Sequence, residues 1–144
     1  MYNSSNHSSE KTVKRIKTVF LGSSGVGKTC VVQRMIYSTF KTNSSPTIGA
    51  AFSLYSVEPN IKIELWDTAG QEKFQSLGYA FYRGADCCAL VYDITSQASF
   101  ENLGRWKAGF IENAGPSDPH NFPFVCLANK LDQESLRQVH TAKG

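Results

Sequence analysis

"GSSGVGKT", residues 22–29, decides how this chain is read. It fits the pattern G-x-x-x-x-G-K-[ST] and follows "VKRIKTVFLG", a β-branched and aromatic run with the composition of a strand. After it comes "TCVVQRMIYSTF", whose apolar residues fall at helical spacing. Strand, loop, helix is the order a phosphate cradle requires. Gly22, Gly25 and Gly27 allow backbone angles that wrap N–H groups around phosphate oxygens, and the following helix points its positive end at them. Ser23, Ser24 and Val26 complete the candidate loop, and Cys30 follows it at the helix start. Lys28 offers a positive charge to the β- and γ-phosphates, and Thr29 offers a hydroxyl to Mg²⁺. By itself the pattern also suits a tight structural turn, so the rest of the chain must choose between them.

The 144 residues suffice for one domain with a buried core, at 41% hydrophobic composition. The net charge of +3 sits partly in Lys11, Lys14, Arg15 and Lys17, too few and too scattered to suggest nucleic acid. No apolar run reaches the ~20 residues of a membrane span, and "MYNSSNHSSEKT" has no signal-peptide core, so a cytoplasmic chain is expected. Cys30, Cys87, Cys88 and Cys126 lie in or beside apolar runs without C-x-x-C spacing; small reduced core residues are the expectation.

Residues 1–12 read as a disordered tail and 13–144 as one domain. "AFSLYSV" and "IKIELWD", joined across "EPN", read as an antiparallel hairpin. "CCALVYD" and "FPFVCLANK" are continuous apolar runs of the kind found inside a parallel sheet. Between them Phe100, Leu103, Trp106 and Phe110 recur three or four apart, predicting one amphipathic crossover helix. The fold class is therefore α/β: an open, mostly parallel sheet flanked by helices, with an antiparallel hairpin at one edge and ligands at the carboxyl ends of the strands.

Three further stretches surround the loop with chemistry. In "LWDTAGQE", residues 65–72, Asp67 lies just past a strand-like run, where its carboxylate can reach a metal through water or merely cap a helix. Gly70 can bring its N–H to a γ-phosphate, and Gln71, which both donates and accepts, can orient an attacking water or be an exposed turn residue. In "NKLD", residues 129–132, Asp132 can accept from guanine N1–H and N2–H₂, a donor edge that adenine lacks. Asn129 can tie this loop to the phosphate loop, and the Lys130 stem can cover the base. In "SSPTIG", residues 44–49, Thr47 can give a hydroxyl to Mg²⁺ and an N–H to the γ-phosphate, ordering the segment in the triphosphate state. Phe40 either packs edge-on against the base or belongs to the core.

With these motifs in order, the chain resembles the Ras-like small GTPases (P-loop NTPases), and among them the Rab family, through "TIGAAF", "WDTAGQEKFQ", "FYRGAD" and "LVYDIT". "SLGYAFYRGADCC" and "NFPFV" are similar to the late-endosomal branch, whereas "TIGAAF" is nearer the early-endosomal one. The resemblance covers residues 13 to about 139. It implies a GTP/GDP switch that hydrolyses GTP slowly in vesicle traffic, with Lys28 and Gln71 serving catalysis and Mg²⁺ held by Thr29, Thr47 and Asp67. It also implies an exchange factor, a GTPase-activating protein and effectors as partners of a monomer, the effectors meeting an aromatic trio of Phe52, Trp66 and Phe81. Those three aromatics have a core reading as well.

Ser23 stands where Rabs often carry an acidic residue, and Ser44 where many Ras-like proteins place a tyrosine over the phosphates. The hairpin is two or three residues shorter than in similar Rabs. Complete members continue through a further helix, an edge strand bearing a base-binding loop, a last helix and prenylated cysteines, whereas this chain ends at "TAKG". Thr141, Ala142 and Lys143 lie too soon after Asp132 to be that loop. The expectations are a weakened or nucleotide-dependent fold, no autonomous membrane anchor, and late-endosomal or lysosomal membranes as the place of a full-length form. The alternative expectation is a non-hydrolysing interaction protein that keeps the effector surface and binds nucleotide weakly.

Overall fold

The computed structural model describes residues 12–42, 45–48, 50–70 and 75–143. Strand β1, Lys14–Leu21, is exposed where it begins with charge and buried where it ends in "TVFL". It leads through the loop into helix α1, Lys28–Tyr37. Strands β2, Ala50–Glu58, and β3, Ile61–Thr68, pair antiparallel around Pro59 and Asn60, with an irregularity between Ser56 and Glu58. Helix α2, Gln75–Tyr82, strand β4, Cys87–Asp93, helices α3, Gln97–Glu101, and α4, Leu103–Ala114, and strand β5, Phe124–Asn129, complete the order.

The sheet order is β2-β3-β1-β4-β5, and every pairing except β2 with β3 is parallel. This is the expected open α/β sheet with its edge hairpin. Because side chains alternate across a strand, neighbouring residues of β1 and β4 serve opposite faces. Val19, Leu21, Cys88 and Leu90 pack with Tyr82, Trp106 and Phe110 on one face, and Phe20, Leu65, Ala89 and Val91 with Val26 and Val32 on the other. Burying both faces under helices explains why β4 reads as an unbroken apolar run.

Four readings change. The crossover segment is two helices, α3 and α4, parted at Asn102. Ser96 caps α3 by accepting from Ser99 N, Asn102 N–H closes α3 on Ala98 O, and Gly115 ends α4 in the left-handed conformation at φ 56°. Helix α2, eight residues rich in aromatics, went unread because it is too short to display a helical period. β5 is an edge strand of the described sheet, so Val125 is 49% exposed and Cys126 lies at the surface instead of in the core. Cys88 is buried, while Cys30 and Cys87 are half-buried, and none of the four is in a disulfide. Finally, Asp67 lies inside β3, paired with Phe20 and Ala51, rather than beyond its end.

After β5 a 3₁₀ turn, Leu131–Leu136, buries none of its residues. The chain is then pulled back: Gln138 and Val139 both donate N–H to Ile94 O, at 2.8 and 3.0 Å, and Val139 is fully buried against Tyr92 and Ile94. Among the described residues no helix is long and apolar enough to cross a membrane.

Candidate nucleotide-binding site

The strand ends that carry Gly22, Thr68 and Asn129 open on a groove of about 950 Å³, within the range of small-molecule sites. Ser24, Gly25, Gly27, Lys28, Thr29 and Cys30 line it from the loop and α1. Phe40, Thr47, Gly70, Asn129, Lys130 and Asp132 line it from elsewhere in the chain. Gly22, Ser23 and Val26 stand behind this lining: Gly22 and Val26 are buried, and Ser23 Oγ accepts from Asn102 Nδ2 at 3.4 Å. Gln71 and Ser44 lie outside the described residues.

Lys28 is 6% exposed and donates to the carbonyls of Gly22, at 2.8 Å, and Ser23, at 3.2 Å. Burial pushes its ammonium down to about 8, against the pull of the Asp67 charge. A cation held half-desolvated on backbone carbonyls is poised to exchange them for a charged acceptor. Gly70 packs on the same spot: a Cβ there would overlap Lys28 Nζ and crowd Ser24 N at 2.7 Å, so only glycine lets the two segments meet. Gly27, at φ 97°, is likewise closed in by the Asn129 amide, where a Cβ would overlap Nδ2.

Beside Lys28, three oxygens converge. Thr29 Oγ1 donates to Asp67 Oδ2 at 2.5 Å and stands 2.9 Å from Thr47 Oγ1. The other carboxylate oxygen, Asp67 Oδ1, is buried and has no hydrogen-bond partner among the described residues. Burial raises the Asp67 carboxyl, while the Thr29 hydrogen bond, the Lys28 charge and the Thr47 hydroxyl act the other way. Two hydroxyls and an acidic oxygen short of a partner form a hard-oxygen set that fits Mg²⁺, which binds few protein groups and keeps its waters. Among the described residues no cluster of three or more His, Cys, Asp or Glu is available to a softer metal.

At the other end of the groove, Asn129 Nδ2 donates to Val26 O at 2.8 Å, joining the "NKLD" segment to the phosphate loop. Lys130 sits at φ 68° and its Nζ lies 2.7 Å from Asp93 Oδ2, an ion pair absent from the sequence reading. The signal for it was the Asp of "LVYDIT": β4 and β5 run parallel in a register that pairs Asp93 with Asn129, one residue from Lys130. Asp93 is buried, which favours its neutral form, but bonds from Lys130 and Thr95 outweigh that and lower its carboxyl below the usual range. Asp132 is exposed at the groove's rim, and Phe40 is 66% exposed, which removes its core reading. Arg34, Lys41 and Thr68 were also missed. Thr68 Oγ1 donates to Phe20 O at 2.6 Å and fixes the end of β3.

On the far side of β3, Trp66 lies between Phe52, at 5.1 Å between ring centres, and Phe81, at 5.4 Å, both rings tilted against it, with Lys17 Nζ 4.7 Å from the indole ring centre. Phe52 is 51% exposed; Trp66 and Phe81 are half-buried.

A phosphate loop closed by a buried lysine, a hard-oxygen cluster and a carboxylate at the rim define a P-loop nucleotide-binding domain. The model of the Ras family matches residues 17–144, and the chain belongs to that family. It is similar to GTP-binding protein yptV5 of Volvox carteri, 48% identical over 138 residues that cover 94% of this chain and 67% of that protein. Ras-related protein Rab7 of Cenchrus ciliaris is 52% identical over 120 residues, 81% of this chain and 58% of that protein. Ras-related protein Rab-7a of Dictyostelium discoideum is 50% identical over 127 residues, 86% and 63% respectively. The chain thus spans 58% to 67% of the length of these relatives. They bear out the likeness to Rab proteins read from the motifs.

Proposed function

We propose that this chain is a guanine-nucleotide switch of Rab type, which hydrolyses GTP slowly to GDP and phosphate and acts in vesicle traffic at late-endosomal or lysosomal membranes. In this reading residues 13–144 belong to a GTPase domain whose last strand and last helices they do not include. The oxygen cluster carries the reading, because it binds Thr47, 18 positions along the chain, to Thr29 of the loop at the place where a γ-phosphate's metal belongs. The hydroxyls of Thr29 and Thr47, with Asp67 through water, would hold Mg²⁺, which would supply positive charge to offset that of the phosphates.

The Lys28 ammonium exchanges its two carbonyl acceptors for phosphate oxygens, and the Gly70 N–H donates to the γ-phosphate, so both switch segments answer to the same group. Gln71 orients the attacking water. Loss of phosphate after hydrolysis frees Thr47 and Gly70. Asp132 selects guanine over adenine. The arginine in the groove, Arg34, lies six residues along α1 from Lys28, so a GTPase-activating partner supplies the cation at the phosphates. An exchange factor reloads the site, and effectors meet the Phe52, Trp66 and Phe81 stack. The non-hydrolysing alternative gains no support over this reading.

The test is binding of labelled GDP and GTP followed by single-turnover hydrolysis. Gln71→Leu should keep GTP affinity within about threefold and slow turnover about 100-fold. ATP competing as well as GTP, or full turnover in Gln71→Leu, contradicts the reading.

A further inference from the structure

We propose that Asn102 is a positioning residue for the phosphate loop, whose side-chain amide holds Ser23 in place when the Lys28 ammonium leaves the Ser23 carbonyl for phosphate. The inference rests on the nucleotide reading above and adds to it a residue outside the motifs that line the groove. Ser23 is gripped from two sides. Lys28 Nζ donates to its carbonyl at 3.2 Å, and Asn102 Nδ2 donates to its hydroxyl at 3.4 Å, across 79 positions of chain. A phosphate draws the first donor away, because a charged acceptor binds an ammonium more strongly than a neutral carbonyl does. The Ser23 carbonyl then keeps the Val26 N–H at 3.5 Å, a bond at the limit of useful length. The Asn102 bond outlasts the exchange, since it holds the residue by its side chain.

Asn102 is suited to this because its own backbone is fixed by both helices. Its N–H closes α3 on Ala98 O at 3.0 Å, and its carbonyl accepts from Trp106 N of α4 at 3.1 Å. Trp106 packs with Val19 and Leu21 of β1, the strand that runs into the loop, so brace and loop stand on one core. Asparagine is a favoured helix N-cap, yet the Asn102 side chain makes no capping bond to α4 and turns to the loop instead. The Ser23 peptide is in turn the floor under Gly70: a Cβ at Gly70 would come within 2.8 Å of the Ser23 carbonyl carbon. The Gly70 N–H serves the γ-phosphate, which GDP lacks. A loosened Ser23 therefore weakens GTP more than GDP.

The experiment measures displacement of a fluorescent GDP analogue by GDP and by a non-hydrolysable GTP analogue, for wild type, Asn102→Ala, Ser23→Ala and the double variant. Asn102→Ala should weaken the GTP analogue about tenfold and GDP about threefold, so that the ratio of the two affinities falls. A general loss of fold would lower both alike and leave the ratio where it was. Ser23→Ala removes the acceptor without touching the junction of the helices and should shift the ratio in the same way, which decides the matter even where Asn102→Ala does not fold. Because the two side chains act as a pair, the double variant should lie within about twofold of either single one. A wild-type ratio in Ser23→Ala or in folded Asn102→Ala, or losses that multiply in the double variant, overturns the assignment while leaving nucleotide binding standing. Wild type that binds no guanine nucleotide overturns both readings.

Discussion

The two ends of the groove are built differently. At the phosphate end Lys28 is buried on two backbone carbonyls, Gly70 touches the loop, and Thr68 is buried with its hydroxyl on Phe20 O. At the base end Asp132 belongs to an exposed 3₁₀ turn in which Leu131 is 67% and Leu136 63% exposed. That turn hangs between the Asn129 bond to Val26 and the buried Val139. The phosphate end is preorganised by the core itself, whereas the base end depends on a few attachments. Affinity should therefore be dominated by the first and base selectivity by the second.

The comparison breaks most visibly at Lys28. Lys28→Ala leaves two carbonyls without their donor and removes the cation from the phosphates; GTP affinity, measured by equilibrium binding, should fall at least about 1,000-fold. A smaller loss would mean that the loop backbone alone carries the phosphates. Asp132→Asn comes next. An amide accepts only one of the two guanine donors and places an N–H₂ where the other needs an acceptor, so GTP should weaken about 100-fold. Xanthosine triphosphate, with a carbonyl at position 2, should gain in direct competition.

Val139→Ala tests the attachment from behind. Removing two methyl groups from a filled site should cost about 2 kcal/mol in denaturant unfolding. Nucleotide affinity should change less than about threefold, since Val139 packs with Tyr92, Ile94, Phe100 and Leu103 and with none of the described residues of the phosphate loop. The smallest effect is the pH dependence of Asp93→Asn. The Asp93 carboxyl is lowered in the folded chain, so its stabilising bonds to Lys130 and Thr95 are complete above the unfolded value of 3.8 and are lost as pH falls through the folded one. Thermal unfolding should find the variant less stable than wild type by about 1 kcal/mol at pH 6. The gap should close below pH 4; a constant gap would assign the effect to packing.

Much of the phosphate end is legible in the chain because its chemistry runs along consecutive residues. A strand, a glycine loop, a lysine and a hydroxyl residue at the head of a helix declare one another by spacing alone, and β1, α1 and the β2–β3 hairpin lie where those signals put them. The base end reads less well. Asp132 and Asn129 were visible, but the Asp93–Lys130 pair depends on the register of two parallel strands joined by a long crossover. The break at Asn102 is likewise hidden, since α3 and α4 share one apolar period; and Val139 sits in a polar stretch with no pattern at all.

The local devices are written along the chain: which residues can cradle phosphate, offer oxygens to Mg²⁺ and accept from guanine, together with the alternation of strands and helices that brings strand ends to one edge. Folding settles which oxygen of Asp67 receives the Thr29 hydroxyl, that Thr47 reaches Thr29, and that the Asn129 amide fills the space beside Gly27. The physical reason is range. Backbone angles and helical periods act over a few neighbours and are written in order along the chain, while a shared groove joins residues about 100 positions apart whose meeting depends on how the sheet is wound.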